Sequence, residues 1–322
     1  GTLYGNATYV MDTEKGSQVL YLDGTSNTYA AFPQGFFDGR DTVSISMDIK
    51  PVTVSGYFFT FTIGKNDTRY MFLRTRDTEI RNAITVASHS NEQEVLANTD
   101  SIRNEWINIK LVIKPTSMAI YKDGLLLAEN KNITISMSDL GKNLLAYLGK
   151  SFYSGDPYFR GYFDNIKVYN RVLTEEEIAK EAGDEAKRVL LEKAKGELTL
   201  GDTSAVIGNL TLPTTGSYGT KISWESSDES AISNTGVVTL KDKEQMVTLT
   251  ATIDFDGMKT TKEFTVNLVS INDIAKTLIN KIYIPYVLTE EDVLPTSIEN
   301  ISISWSSSDT SIIGNDGSIK PP

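Results

Sequence analysis

Two stretches of this chain nearly coincide: Lys221-Ile-Ser-Trp-Glu-Ser-Ser-Asp-Glu-Ser-Ala-Ile232 returns as Ser302-Ile-Ser-Trp-Ser-Ser-Ser-Asp-Thr-Ser-Ile-Ile313, with Trp224 and Trp305 81 residues apart. Matching flanks extend the repeat. Leu212-Pro-Thr214 aligns with Leu294-Pro-Thr296, Thr235-Gly-Val-Val238 with Asp316-Gly-Ser-Ile319, and Ala186–Leu190 with Ile274–Leu278. A fixed period of this size means that one structural unit is used twice, and short strands with one core tryptophan per unit read as an immunoglobulin-like sandwich. In the first copy the strands Met246–Ile253 and Thr261–Val269, joined through Asp256-Gly257, finish the unit. The second copy reaches Pro322 before either strand, so roughly 30 further residues are expected to complete a sandwich of ordinary size.

The chain before residue 174 has a different texture, strand after strand punctuated by Asp23-Gly24, Asp38-Gly39 and Asp123-Gly124. Val19–Leu22, Thr42–Ile49, Tyr57–Ile63, Tyr70–Leu73 and Trp106–Ile113 are dense in β-branched and aromatic residues. Met118–Leu127 reads as a hairpin, because Asp123-Gly124 supplies the two positive φ angles of a type I′ turn. In Arg160–Asn170 apolar and polar residues alternate, with one slip at Asp164-Asn165. Thr174 and Glu177 then form a capping-box pair that starts a helix. From there to Lys195, apolar residues recur at three- and four-residue steps, which fits a helix or a helix pair with Gly183 the expected break, and the segment is expected to pack on the next domain.

At 322 residues two or three cores are expected. No apolar run is long enough to span a membrane, and the N-terminus lacks a signal-peptide pattern, so any export signal is expected upstream. The net charge of −11 disfavours nucleic acid and anionic membranes as partners. With no cysteine there is no disulfide, no thiolate zinc site and no cysteine nucleophile.

The run Arg160-Gly-Tyr-Phe-Asp-Asn-Ile-Lys-Val-Tyr-Asn-Arg-Val-Leu-Thr-Glu-Glu-Glu-Ile178 resembles the last strand of laminin-G-like, concanavalin A-like jelly-roll modules of secreted bacterial proteins. Leu22-Asp-Gly24, Trp106-Ile-Asn-Ile109, Ile120–Gly124 and Tyr147–Ser151 carry the likeness through the first half. The Leu-Pro-Thr, Ile-Ser-Trp and Gly-x-(Val/Ile) elements of the repeat resemble atrophied bacterial Ig-like domains. Together they imply an all-β chain: a concanavalin A-like jelly-roll sandwich over 1–172, a short helical connector over 173–195, an Ig-like β-sandwich over 196–270, and a truncated second Ig-like repeat over 271–322. Modules of this type usually begin with a strand and polar loop, which this chain is expected to start after, leaving a sheet edge bare or otherwise supplied.

The resemblance points to ancillary regions of secreted or cell-surface bacterial glycoside hydrolases of the family 43 arabinofuranosidase and xylosidase type. It implies a non-catalytic segment that binds a plant or host polysaccharide and shares a polypeptide with a catalytic domain; an adhesin stalk and a glycosidase in its own right are the competing readings. Glycan binding needs aromatic faces and planar polar groups. Tyr153, Asp156, Tyr158 and Arg160, on a loop containing Gly and Pro, form a candidate rim. Arg69, with Arg74 and Arg76, could face a concave sheet; the competing reading makes Phe152 and Phe159 core and the arginines a solvated face. Trp106, Trp224 and Trp305 are assigned to cores. Catalysis finds little support: His89, the only histidine, sits in a loop pattern, Glu92-Gln-Glu94 is the nearest thing to a paired-carboxylate strand, and Glu175–Glu177 complements a helix dipole. The Asn-x-Ser/Thr sites at Asn6, Asn66, Asn132, Asn209 and Asn300 are expected at this composition.

The family likeness also implies a structural calcium ion with Asp164 as a side-chain ligand, and Asp23, in a Leu-Asp-Gly turn, is a second candidate. An Asp displaced from strand alternation can offer its carboxylate to a cation while loop carbonyls complete the shell, or can accept backbone N–H groups instead. On the calcium reading the melting midpoint rises with added calcium and falls with EDTA, and Asp164→Ala erases the difference; a midpoint indifferent to both leaves only the hydrogen-bonding role.

Overall fold

The computed structural model describes every residue except 53, 285, 288, 290, 291, 293, 299, 300, 316, 317, 321 and 322, so Asn300 and the Asp316-Gly317 flank of the repeat lie outside the described residues. The chain forms two compact units, Gly1–Lys193 and Ala194–Pro322.

In chain order the strands of the first unit are β1 (Thr2–Tyr4), β2 (Thr8–Asp12), β3 (Ser17–Asp23), β4 (Tyr29–Ala31), β5 (Val43–Pro51), β6 (Phe61–Asn66) and β7 (Arg69–Arg76). They continue as β8 (Glu79–Thr85), β9 (Gln93–Asn98), β10 (Ile107–Lys114), β11 (Ser117–Lys122), β12 (Leu125–Asn130), β13 (Leu145–Leu148) and β14 (Arg160–Tyr169). They form two antiparallel sheets, β1-β4-β13-β6-β7-β8-β9 and β12-β11-β10-β5-β14-β3-β2. Alternation along each strand sends one set of side chains between the sheets: Ile45, Met47 and Ile49 of β5 meet Phe61 and Ile63 of β6, Met71 and Leu73 of β7, and Ile109, Leu111 and Ile113 of β10 in one core. Each such side chain contributes about 1.5–3 kcal/mol by leaving water.

Of the two expectations for the sheet edge, bare or otherwise supplied, the second holds: β1 forms an edge of one sheet and β2 an edge of the other. Neither was legible as a strand, being three and five residues long with largely exposed side chains. The strand expected from Tyr57 begins only at Phe61, and Tyr57 is exposed. Trp106 is corrected from core to surface: Ile107, Ile109 and Leu111 take the inward positions, so alternation turns Trp106 outward, half-buried beneath the Lys15 ammonium 4.8 Å from its ring.

Sequence and backbone agree closely at the turns. Asp123 and Gly124 have φ of 50° and 84°, and Asp256 and Gly257 have 53° and 86°. The slip in β14 is a bulge between Asp164 and Lys167, with Asn165 at φ 48°. Thr174 and Glu177 cap α1 (Glu175–Lys180) reciprocally, and α2 (Asp184–Glu197) follows the break at Gly183. The connector expected to pack on the next domain has its first helix on the preceding one, where Ile178 is buried with Leu173 against Val112 and Ala119 on the outer face of the second sheet.

In the second unit β15 (Lys221–Ser226), β16 (Gln245–Phe255) and β17 (Met258–Leu268) form an antiparallel sheet over a core of Val206, Ile232, Val247, Leu249, Val266 and Leu268. Trp224 packs against that core from its rim, and α3 (Ile271–Ile279) opens the second copy of the repeat. Both copies build the same contacts. The indole N–H of Trp224 donates to the Pro213 carbonyl at 2.9 Å and that of Trp305 to Pro295 at 2.8 Å. Asn234 accepts from the Ser226 N–H at 2.8 Å and Asn315 from Ser307 at 2.9 Å.

At the β11–β12 turn, a Cβ on Gly124 would lie 2.3 Å from the Ala182 Cβ and 2.8 Å from that of Ala186. Gly124→Ala therefore meets both a positive φ and a helix already in place, and urea unfolding should show a loss of about 1 kcal/mol or more.

Candidate functional site

The segment between β13 and β14 leaves one sheet and enters the other, crossing the outer face of the first. Its ends are tied together: Gly149 N–H donates to the Thr60 carbonyl at 2.8 Å, and Phe159 N–H donates to the Gly149 carbonyl at 3.0 Å. Gly149, at φ +82°, has no room for a Cβ, which would sit 2.4 Å from Leu22 Cδ1. Phe159 is wholly buried in the main core, so the residues between are held as a compact loop.

Beneath this loop the middle of the outer face is sealed. Phe59 stacks on Phe72 at 4.0 Å, Tyr153 meets Tyr70 edge-on at 5.7 Å, and Phe152 covers Tyr147 at 5.6 Å. Tyr153 O–H donates to the Asp67 carbonyl at 2.8 Å and lies 3.0 Å from the Tyr70 hydroxyl. Tyr70 in turn donates to Glu92, which also accepts from Arg81 Nη2 at 2.6 Å, while Arg81 Nε donates to Glu94. Burial first, and Glu92 second, push the Tyr70 phenol far above its ordinary range. Asp156 accepts from Ser151 Oγ at 2.6 Å; burial raises its carboxyl above the ordinary value, and the Ser151 hydrogen bond opposes the shift.

Two flanks of this face stay open. On one side Tyr4 and Tyr29, paired across β1 and β4, stack at 4.5 Å with 9° between their planes. Tyr147 meets Tyr29 edge-on at 5.4 Å, and Tyr158 lies 6.3 Å from Tyr29 with its hydroxyl 3.3 Å from Asn27 Oδ1. The Lys150 ammonium stands 4.3 Å from the Tyr29 ring and 4.8 Å from that of Tyr147. Tyr4 is 42% exposed, so the stack ends in an accessible ring. On the other side the exposed Tyr57 ring lies 4.9 Å from the Arg76 guanidinium and 6.0 Å from that of Arg74.

The predicted rim is therefore divided. Tyr153 and Asp156 lie under the loop and Tyr158 joins the tyrosine flank. Arg160 is on the second sheet beside Tyr21 and Tyr162, which stack on each other at 4.7 Å. Arg69 is exposed at the start of β7 and donates to the Asp139 carbonyl at 2.8 Å. Arg74 does face the outer side of the sheet but is nearly buried there, bonded to Glu79 at 2.7 Å. His89 is exposed in a single 3-10 turn. Tyr4, Tyr29, Tyr147 and Lys150 are not legible in the sequence, because β1, β4, β13 and the loop after β13 bring them together from distant parts of the chain.

Asp23 and Asp164 are not brought to one point: Asp23 pairs in register with Arg160, and Asp164 with Asp48. The Asp23 carboxylate accepts from Thr25 N–H at 2.9 Å, Thr25 Oγ1 at 2.7 Å and Asn6 Nδ2 at 2.8 Å, which hold its pKa well below the usual range. Asp164 borders a cavity of about 330 Å³ between the sheet edges, lined by Leu3, Tyr9, Leu20, Phe32 and Phe163. Among the described residues no group of three or more His, Asp or Glu side chains stands close enough to hold a metal by itself.

Residues 9–179 match the family described as the concanavalin A-like lectin/glucanases superfamily, and residues 191–271 match the atrophied bacterial Ig domain. An alpha-L-arabinofuranosidase of Bifidobacterium longum subsp. longum is 29% identical over 322 aligned residues, covering 92% of this chain. The chain spans only 29% of that relative's length. Among solved structures, domain 4 of AbnA, a GH43 extracellular arabinanase from Geobacillus stearothermophilus in complex with arabinotriose, gives a TM-score of 0.46 at 18% identity over 56% of this chain and 82% of its own. The Ruminococcus gnavus IT-sialidase CBM40 bound to alpha2,3 sialyllactose gives 0.43 at 14% identity over 56% of this chain and 98% of its own.

The buried carboxyl of Asp156 generates a pH test. A folded-state pKa above the ordinary 3.8 means that the loop is favoured with Asp156 protonated, and that this contribution is lost as pH rises through the raised value. Asp156→Asn keeps an acceptor for Ser151 and cannot ionise, so its melting midpoint relative to wild type should climb as pH is raised from below 3.8 towards neutrality; a constant difference would contradict the assignment.

Proposed function

Since the chain belongs to the concanavalin A-like lectin/glucanases superfamily, whose pattern covers more than half of it, we propose that it is the non-catalytic, carbohydrate-binding and spacer segment of a larger polysaccharide-degrading enzyme. The observation that carries this reading is the tyrosine flank. Tyr4, Tyr29, Tyr147 and Tyr158 gather aromatic surface beside the Lys150 cation and the Asn27 amide, the combination that stacks on a sugar ring and reads its hydroxyls.

The non-catalytic part rests on where the carboxylates are. Glu92 and Glu94, just before and within β9 and the pair closest to a glycosidase arrangement, share the Arg81 guanidinium, and the Glu92 side chain is 7% exposed. Charges neutralised this way serve the sheet rather than a glycosidic bond. Similarity over nearly the whole chain to part of an alpha-L-arabinofuranosidase supports a catalytic domain in the same polypeptide, a plant polysaccharide as partner, and a secreted or cell-surface location. Tethering of this kind raises the local concentration of catalytic domain at its polymer, and Ig-like units supply reach.

A glycan array, followed by retention on arabinan and xylan, tests the reading. Wild type should be retained by at least one polysaccharide without hydrolysing it, and Tyr29→Ala should weaken retention by about tenfold, since loss of a stacked ring removes roughly 1 kcal/mol or more. Turnover of either polymer by the purified chain, abolished by a single carboxylate substitution, would overturn it.

A further inference from the structure

The second open flank holds a separate cluster. Tyr57 is 68% exposed, on the loop between β5 and β6, with the Arg76 guanidinium 4.9 Å from its ring. Arg76 is fixed by its Nε, which donates to the Gly56 carbonyl at 3.1 Å, and Nη1 lies 3.8 Å from Glu79. Behind it Arg74 donates to the same Glu79 carboxylate through Nη2 at 2.7 Å. Arg74 is 7% exposed, and its buried Nε has no acceptor. The loops themselves meet here, since a Cβ on Gly56 would touch Pro157 Cγ at 3.5 Å.

The charges in this cluster cancel. Arg74 and Arg76 face Glu79, and Asp156 also acts electrostatically on Arg74, so two cations stand against two carboxylates. A balanced site does not select an anion. It offers planar forks of donors beside a carboxylate and an accessible ring, groups that pair with the adjacent hydroxyls of a neutral sugar while its C–H face covers the ring.

We propose that Tyr57, Arg76 and Glu79, backed by Arg74, form a second subsite for a neutral sugar residue bearing vicinal hydroxyls. It is distinct from the tyrosine flank and lies across the loop from it. Tyr147 sits on β13 and Arg74 on β7, two strands away, a separation of about 10 Å across the sheet at ordinary strand spacing. A polysaccharide or a linear oligosaccharide is long enough to engage both flanks, whereas a monosaccharide is not. The inference rests on the glycan-binding reading above and adds to it a second point of attachment.

Titration calorimetry of the full chain with debranched arabinan and with arabinopentaose tests it, using Tyr57→Ala and Arg76→Gln against Tyr29→Ala. Because Tyr57 is largely exposed, the first variant should keep its melting midpoint. Tyr57→Ala and Arg76→Gln should each weaken arabinan binding about tenfold, and loss of Tyr29 as well should weaken it further than either single change. If wild type binds and Tyr29→Ala weakens binding while Tyr57→Ala and Arg76→Gln leave it unchanged, the second subsite is wrong and the tyrosine flank stands. No binding of either probe by wild type would overturn both flanks as sites for a neutral sugar chain.

Discussion

The hydrogen bond from Phe159 N–H to the Gly149 carbonyl closes the loop on which both open flanks depend. It holds the chain ends at the point where β13, in one sheet, gives way to β14, in the other. With Phe159 fixed in the core, Phe152 and Tyr153 have no choice but to lie over the outer face of the first sheet. That makes Tyr70 and Phe72 buried on a face that a jelly-roll would otherwise expose. The consequence is a dry strip down the middle of the sheet, where Tyr70, Glu92 and Arg81 satisfy one another, with solvent reaching the face only on either side.

The other sheet is occupied differently. Its outer face carries Asp48, which accepts from Lys15, Asn108 and Asn165 at 2.7, 2.7 and 2.8 Å. Next to it Lys110 is almost fully buried, its ammonium 2.7 Å from Asn108 Oδ1 and 3.5 Å from Glu181 at the end of α1. Burial pulls the Lys110 pKa down, and the Glu181 carboxylate opposes that pull. Glu181 also accepts from Tyr169 at 3.1 Å, so a single carboxylate pins α1 to β10 and β14 while Ile178 supplies the apolar contact. One outer face therefore anchors the helix, and the other is sealed along its middle with its two flanks open.

What could be read from the sequence follows the range over which each interaction acts. The turns at Asp123-Gly124 and Asp256-Gly257, the bulge at Asn165 and the Thr174–Glu177 cap are set by residues within a few positions of one another, and all are present in the structure. The repeat was legible for the same reason, and its two copies share contacts down to the tryptophan N–H. At Trp106 phase outweighs size: the same alternation that identifies the strand puts Ile107 inside and Trp106 out.

The candidate site was less legible, because it is made by pairing between strands. Tyr153, Asp156, Tyr158 and Arg160 are neighbours in sequence, yet the crossing between sheets distributes them over a sealed strip, an open flank and the opposite sheet. Conversely Tyr4, Tyr29 and Tyr147 meet because β1, β4 and β13 are adjacent, an order in which strands four and thirteen of the chain are joined. A tyrosine cluster built this way depends on register: a one-residue slip in β4 would turn Tyr29 into the core and Ala30 outward, removing the stack while leaving the composition of the strand unchanged.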